Sequence, residues 1–172
     1  MINNNKCITI EEAKEILEKV KEMYPGVFER VNIRQGNSFM YSEIFKRVYI
    51  ADTFEEYTNL QVYGAIDHIN DIYGLKIERN IRNASIQALL HELGHHKDFL
   101  EKKEAGTYRE YREREQSERE EYERIARRYY NEEESISIEK AQEINKMYRE
   151  IISEVEADKF SAIIINKIIG EC

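Results

Sequence analysis

Between Gly106 and Gly170 the chain has neither glycine nor proline, and its only proline is Pro25. Residues 107–169 are rich in Glu, Arg, Lys, Ile and Ala. A stretch of that composition without breakers reads as helix. The first third is punctuated by Pro25, Gly26 and Gly36 and shows shorter periods. The two parts of the chain are therefore built differently, and the expected class is α+β.

Thr9 and Glu12 have capping-box spacing, and Ala13, Ile16, Leu17 and Val20 form an apolar stripe up to about Tyr24. Pro25-Gly26 stops that helix. Val31 and Ile33 then alternate with polar neighbours, Gln35–Ser38 has turn chemistry, and Phe39–Tyr41 and Arg47–Ile50 are rich in β-formers. A small, mostly antiparallel sheet is expected here. Thr53 and Glu56 repeat the capping-box spacing, predicting a helix through Leu60, Ile66 and Ile69 to about Gly74. Leu75–Glu78 suits a short strand or a linker. A helix over about Ser85–Leu100 follows, with Ile86, Leu90, Leu93 and Leu100 on one side.

Charged residues make up 35% of the chain, well above the roughly 25% of an average domain, so much of them must cover an extended solvated surface. They concentrate in residues 101–135. Within that run Tyr108, Tyr111, Tyr122, Ile125 and Tyr129 fall on one seam, interrupted by Glu115 and Glu118. Ile138, Ala141, Tyr148, Ile152 and Val155 continue a similar spacing, interrupted by Asn145. Matching seams around a polar connection at 131–135 predict a charged antiparallel helical hairpin. One helix is expected from about Ser137 to Ile169, with its Ile163–Ile169 end buried.

A net charge of −8 argues against nucleic acid as the main partner. No apolar run of about 18 residues is present, so no membrane span is expected. The N-terminal residues lack an apolar signal core, and Cys7 and Cys172 form no disulfide framework. The expected compartment is the cytoplasm.

His91-Glu92-Leu93-Gly94-His95 is an H-E-x-x-H motif. Residues four apart on a helix lie about 40° apart around the axis and about 6 Å along it, so His91 and His95 can bind one ion. Neutral imidazole nitrogen suits zinc. Glu92 lies about 100° round, placed to take a proton from a metal-activated water as the general base. Ile86, Leu89, Leu90 and Leu93 make the helix apolar, and its ionisable triplet needs a compensating partner there. Gly94 costs about 1 kcal/mol against Ala in a helix, which the close approach of another backbone would explain.

A catalytic zinc site takes three protein ligands. In Ser153-Glu154-Val155-Glu156-Ala157-Asp158, Glu154 and Asp158 share a helical face. Glu154 is the candidate third ligand, Glu156 the alternative, and Asp158 the candidate acceptor for the outer nitrogen of a ligand histidine. Ala157 would keep the two helices close. His68 is a lesser candidate for a helper at the site, and Tyr148 one of many tyrosines able to face it.

H-E-L-G-H followed on a later helix by E-x-x-A-D-x-F resembles the gluzincin group of zinc metallopeptidases, in particular the ImmA/IrrE-type peptidases and small soluble relatives of the CAAX-prenyl-protease type. The resemblance implies a zincin-like fold with one zinc ion held by His91, His95 and Glu154, Glu92 as general base and Asp158 as supporting acid. It also implies that Arg47–Ala51 is the edge strand along which an extended substrate binds. The implied partner is a protein or peptide substrate, with a regulatory protein among the candidates. Lys97 and the long separation of His95 from Glu154 depart from the pattern. The reading is thus one metallopeptidase domain over residues 1–172. Residues 1–100 hold the first helix, the sheet and the active-site helix, residues 101–150 the charged hairpin, and residues 151–172 the third-ligand helix. The rival reading is a zinc-stabilised regulatory or binding module acting through the helical arm.

Overall fold

A computed structural model describes residues 6–54, 59–132 and 137–170, the side chains of 59–61 and 130–132 excepted. Six helices and three strands are described: α1 (Ile10–Met23), β1 (Asn32–Gly36), β2 (Met40–Ser42), β3 (Arg47–Ala51), α2 (Asn59–Tyr73), α3 (Ile81–Glu104), α4 (Tyr108–Glu132), α5 (Ile138–Arg149) and α6 (Ile152–Ile169). The class is α+β. Among the described residues no helix is long and apolar enough to cross a membrane.

The sheet is mixed rather than mostly antiparallel, because β3 lies in the centre and pairs on both sides. It runs parallel to β1, from Asn32 opposite Arg47 to Gly36 opposite Ala51, and antiparallel to β2, from Met40 opposite Tyr49 to Ser42 opposite Arg47. Only the short turn between β2 and β3 enforces an antiparallel pair. The crossing from β1 passes β2 before β3 returns between them, so β1 and β3 end up codirectional.

The Thr9–Glu12 capping box forms as expected, with both reciprocal bonds present. Thr53 instead bridges Lys6, while Glu56 and Tyr57 lie outside the described residues, as do 133–136 and Cys172. Leu75–Glu78 forms no strand. Buried Ile77 gives its N–H to the Asn70 side chain and accepts from it through its C=O, which satisfies both groups without a ladder. The α3 helix starts earlier than its apolar stripe because the Asn80 side chain accepts from Asn83 N–H.

The core joins α1, the sheet, α2, α3 and α6, with Ile86, Leu89, Leu90, Leu93, Ile164, Ile165 and Ile168 fully buried. The Ile-rich end is helix, with Ile163 alone turned outward. The helices α3 and α6 meet backbone to backbone at Gly94. A Cβ there would sit 2.7 Å from the Ala157 Cα and 3.0 Å from its carbonyl oxygen. Glycine at 94 thus sets the interhelical distance.

The charged region folds as an antiparallel pair. Tyr122 packs on Tyr148, and Lys140 lies over Tyr129, so sequence numbers rise on one helix as they fall on the other. The seam is nevertheless divided. Ile138 and Val155 are exposed, and Ile144 is the buried apolar residue of α5. The first half of α4 turns away from α5, sending Tyr108 to Glu43 and Tyr111 to Asp98. Gly106 (φ 71°), in the left-handed region open to glycine, makes the corner from α3 into α4. The expected single helix from Ser137 to Ile169 is broken at Glu150–Ile151, where buried Ile151 adopts an extended conformation. Tyr148 and Glu154 therefore stand on different helices.

Candidate metal centre

His91 and His95 leave α3 on the same face, one turn apart, with ring centroids 4.7 Å apart and planes nearly perpendicular. Leu90 and Leu93 point the other way into the core, which anchors the helix and fixes the face. The candidate ligand atoms of His91, Glu92 and His95 all lie within 4.8 Å of one another, a group that could hold a metal ion.

The short α3–α6 distance brings Glu154 to this face. Its Oε2 is 3.0 Å from His91 Nε2 and 3.9 Å from His95 Nε2. Donors on a tetrahedral zinc with bonds of about 2.1 Å stand about 3.4 Å apart, and these two separations straddle that value. One turn further, Asp158 Oδ1 lies 2.8 Å from His91 Nδ1. Arg149 holds the same carboxylate from α5, at 2.9 and 3.2 Å. It is Glu154, not Glu156, that carries an oxygen beside the imidazoles.

The electrostatics of this pair decide what the site can hold. With Nδ1–H donated to Asp158, neutral His91 presents a bare Nε2 lone pair to a carboxylate oxygen. Two acceptors at 3.0 Å repel unless a proton or a cation lies between them. Burial opposes a charged His91, but hydrogen bonds to Asp158 and Glu154 outweigh it and push the imidazole up to about 10. Burial likewise opposes the Glu154 carboxylate, and His91 overcomes it, bringing it down to about 2. Asp158 is also held below its ordinary value against burial, by His91 and Arg149. Without metal a proton thus occupies the gap. His95 is depressed by burial and by the neighbouring charge on His91, and stays neutral. Two imidazole nitrogens and a carboxylate oxygen, oriented by Asp158, are a donor set that suits zinc.

Beside these donors opens a cleft of about 410 Å³, lined by Glu92, His95, Tyr41, Arg119, Tyr148 and Glu154 among others. Glu92 Oε2 accepts from the Tyr41 backbone N–H at 2.6 Å. The β2 strand carrying Tyr41 is an outer strand of the sheet. The expectation that Arg47–Ala51 forms the edge along the site is thereby corrected. That segment is the central strand β3, and Met40–Ser42 is the edge beside α3.

No family model matches the chain, and neither a curated protein nor a solved structure matches it.

Other expected residues lie elsewhere. His68 sits behind the site, Nε2 3.7 Å from Asp158 Oδ2, and does not line the cleft. His96 is buried and donates through Nε2 to the Val27 carbonyl while accepting from the Tyr41 hydroxyl at Nδ1. Lys97 pairs with Glu101 at the surface.

Residues to which sequence reasoning assigned no definite role at the site complete the surroundings. Arg119 donates to Glu154 Oε1 at 3.1 Å and to Glu115 Oε1 at 3.3 Å. Glu118 Oε2 accepts from the Ile152 N–H at 2.7 Å, capping an α6 whose own N-cap residue, Ile151, offers no side-chain bond. Burial and Glu154 together raise the Tyr148 phenol above its ordinary value, and its hydroxyl is hydrogen-bonded to that carboxylate. The signal for Glu115 and Glu118 was present as two acids interrupting an apolar seam. Nothing in the local pattern marks Arg119 or Arg149.

Proposed function

We propose that this protein is a zinc-dependent peptidase of the gluzincin type, with a zincin-like arrangement of sheet and active-site helix. In this reading one zinc ion is held by His91, His95 and Glu154, and a peptide bond of a protein or peptide substrate is hydrolysed. The carrying observation is the meeting of His91 Nε2 and Glu154 Oε2 at 3.0 Å, with His91 Nδ1 already committed to Asp158 and His95 adjacent. Such a gap takes a proton or a cation, and the two imidazoles and the carboxylate around it are donors that suit zinc.

Zinc in that position would supply Lewis acidity towards a carbonyl and lower the pKa of a water molecule. The chain's own groups do the rest. Asp158 fixes the tautomer of His91 so that its Nε2 faces inward. Glu92 takes the proton of the attacking water and returns it to the leaving amine. The β2 edge offers backbone groups to an extended substrate, whose scissile carbonyl is brought beside Glu92. A cytoplasmic setting belongs to the same proposal.

The test is Glu92→Gln, which removes the base and no donor of the proposed set. Purified wild-type protein should carry about one zinc per chain. The Gln variant should keep that zinc and its helical circular-dichroism signal. Cells expressing wild type should contain new protein N-termini that are missing with the variant. Identical sets of N-termini, with any biological effect retained by the variant, would favour a zinc-stabilised binding module over an enzyme. Absence of stoichiometric metal, or its persistence in His95→Ala, would remove the metal reading altogether.

A further inference from the structure

The geometry points to Arg119, on the charged helix α4, as the residue that positions Glu154 for metal binding, so that docking of the charged hairpin is coupled to the affinity of the site. This inference rests on the metal reading above and deepens it by assigning a role to the hairpin.

Glu154 is 1% exposed, the Tyr148 hydroxyl is bonded to its carboxylate, and its two oxygens have different charged or ring partners. Oε2 faces His91 and His95. Oε1 faces away and receives the Arg119 Nη2 at 3.1 Å. A carboxylate can swing about its last bond and bind an ion through one oxygen or both. A charge-assisted donor fixed on Oε1 pins the plane and leaves Oε2 for the ion. Arg119 is itself held, because Glu115 accepts from it one turn back at 3.3 Å. Glu115 is 6% exposed, unusual for a glutamate, and its position is accounted for by ion pairs with Arg112 and Arg119.

The residue before Arg119 on the same helix does parallel work. Glu118 caps the Ile152 N–H and so fixes the turn from which Glu154 projects. One face of α4 therefore grips both the start of α6 and the outer oxygen of its acid. Other cations of α4 behave differently. Arg112 and Arg114 pair with Glu115 and Glu118 on α4. Arg109, Arg124 and Arg127 pair with acids three or four residues away on α4 itself, and their side chains are 65 to 86% exposed. Those pairs decorate a solvated face. Arg119 differs from these five arginines by reaching another element, and what it reaches is the proposed ligand.

The experiment measures zinc affinity of the full chain by competition with a chromophoric chelator, for wild type, Arg119→Gln, Arg119→Lys and the outer-face control Arg127→Gln, whose arginine pairs with exposed Glu123. Loss of a group that orients a ligand weakens metal binding about 10–100-fold. Arg119→Gln should show that loss, Arg119→Lys should recover part of it, and Arg127→Gln should match wild type. Cobalt(II) substitution adds a readout that general destabilisation would not move. In Arg119→Gln the visible bands should change in intensity, as Glu154 becomes free to bind through both oxygens. Wild-type affinity and an unchanged cobalt spectrum in a folded Arg119→Gln overturn the inference. If Arg119→Gln loses its helical signal, Arg119→Lys decides, and a folded Lys variant with wild-type affinity and spectrum overturns it too. A wild type without stoichiometric metal overturns the metal reading as well, whereas a metal-binding wild type indifferent to Arg119 overturns this inference alone.

Discussion

Replacing Gly94 by Ala adds a single methyl at the closest approach of α3 and α6. That Cβ would lie 2.7 Å from the Ala157 Cα, 3.0 Å from the Ala157 oxygen and 3.2 Å from the Phe160 Cβ. Ordinary carbon contacts begin near about 3.4 Å, so α6 must retreat by about 0.7 Å at this point. Two terms of opposite sign bear on stability. Alanine favours the helix over glycine by about 1 kcal/mol, and overpacking of a filled interface costs about 1–3 kcal/mol. The net loss is about 0–2 kcal/mol, and the protein stays folded. The site fares worse. Metal donors tolerate displacements of about 0.2 Å, and Glu154 and Asp158 both ride on α6. Gly94→Ala should therefore lose zinc affinity by at least about tenfold, while its urea midpoint falls by no more than about 1 M. Because the crowding is against Ala157 backbone atoms, Ala157→Gly should not rescue it. The assay pairs chelator competition with urea denaturation in excess chelator. A Gly94→Ala protein of wild-type zinc affinity, or one restored by Ala157→Gly, would refute the reasoning that backbone contact sets the donor spacing.

Asp158→Asn removes the charge that orients His91 and receives Arg149, and should weaken zinc binding about 10–100-fold by chelator competition; equal affinity would deny Asp158 its role. Glu118→Ala should cost about 0.5–2 kcal/mol in urea denaturation through loss of the α6 cap, and no change would mean that the bond contributes nothing. A pH effect follows from His91, held up at about 10 in the metal-free protein against an ordinary value of 6.5. The folded chain keeps this proton while the unfolded chain releases it, so the contribution is complete below 6.5 and is lost as pH rises through 10. With excess chelator, stability should fall between pH 6.5 and 8.5 by at most about 1.4 kcal/mol per unit. The slope should vanish in His91→Gln, and persistence of the same slope there would assign it to another group.

The motif was legible because helical periodicity acts locally. His91 and His95 share a face whatever surrounds them, and Leu90 and Leu93 turn that face away from the core. Gly94 was legible as a place where another backbone comes close, since a helix tolerates glycine poorly without such a reason. The direction of β1 was not legible. Alternation within a strand records which face is buried and says nothing of the neighbour's direction. The break at Glu150–Ile151 was equally hidden, because no proline or glycine marks it and the cap that satisfies Ile152 comes from Glu118 on another helix.

By itself, then, the order of residues determined the helix bearing the two imidazoles, the acid pair four apart on a second helix, and the charged hairpin between them, since each depends on spacings of three or four residues. Only the tertiary structure decided that Glu154 stands beside His91 and that Arg119 and Arg149 hold the two acids from outside. It also decided that β2 rather than β3 borders the cleft. Those contacts join residues far apart in the chain, and their partners are chosen by how the helices pack, which no local period encodes.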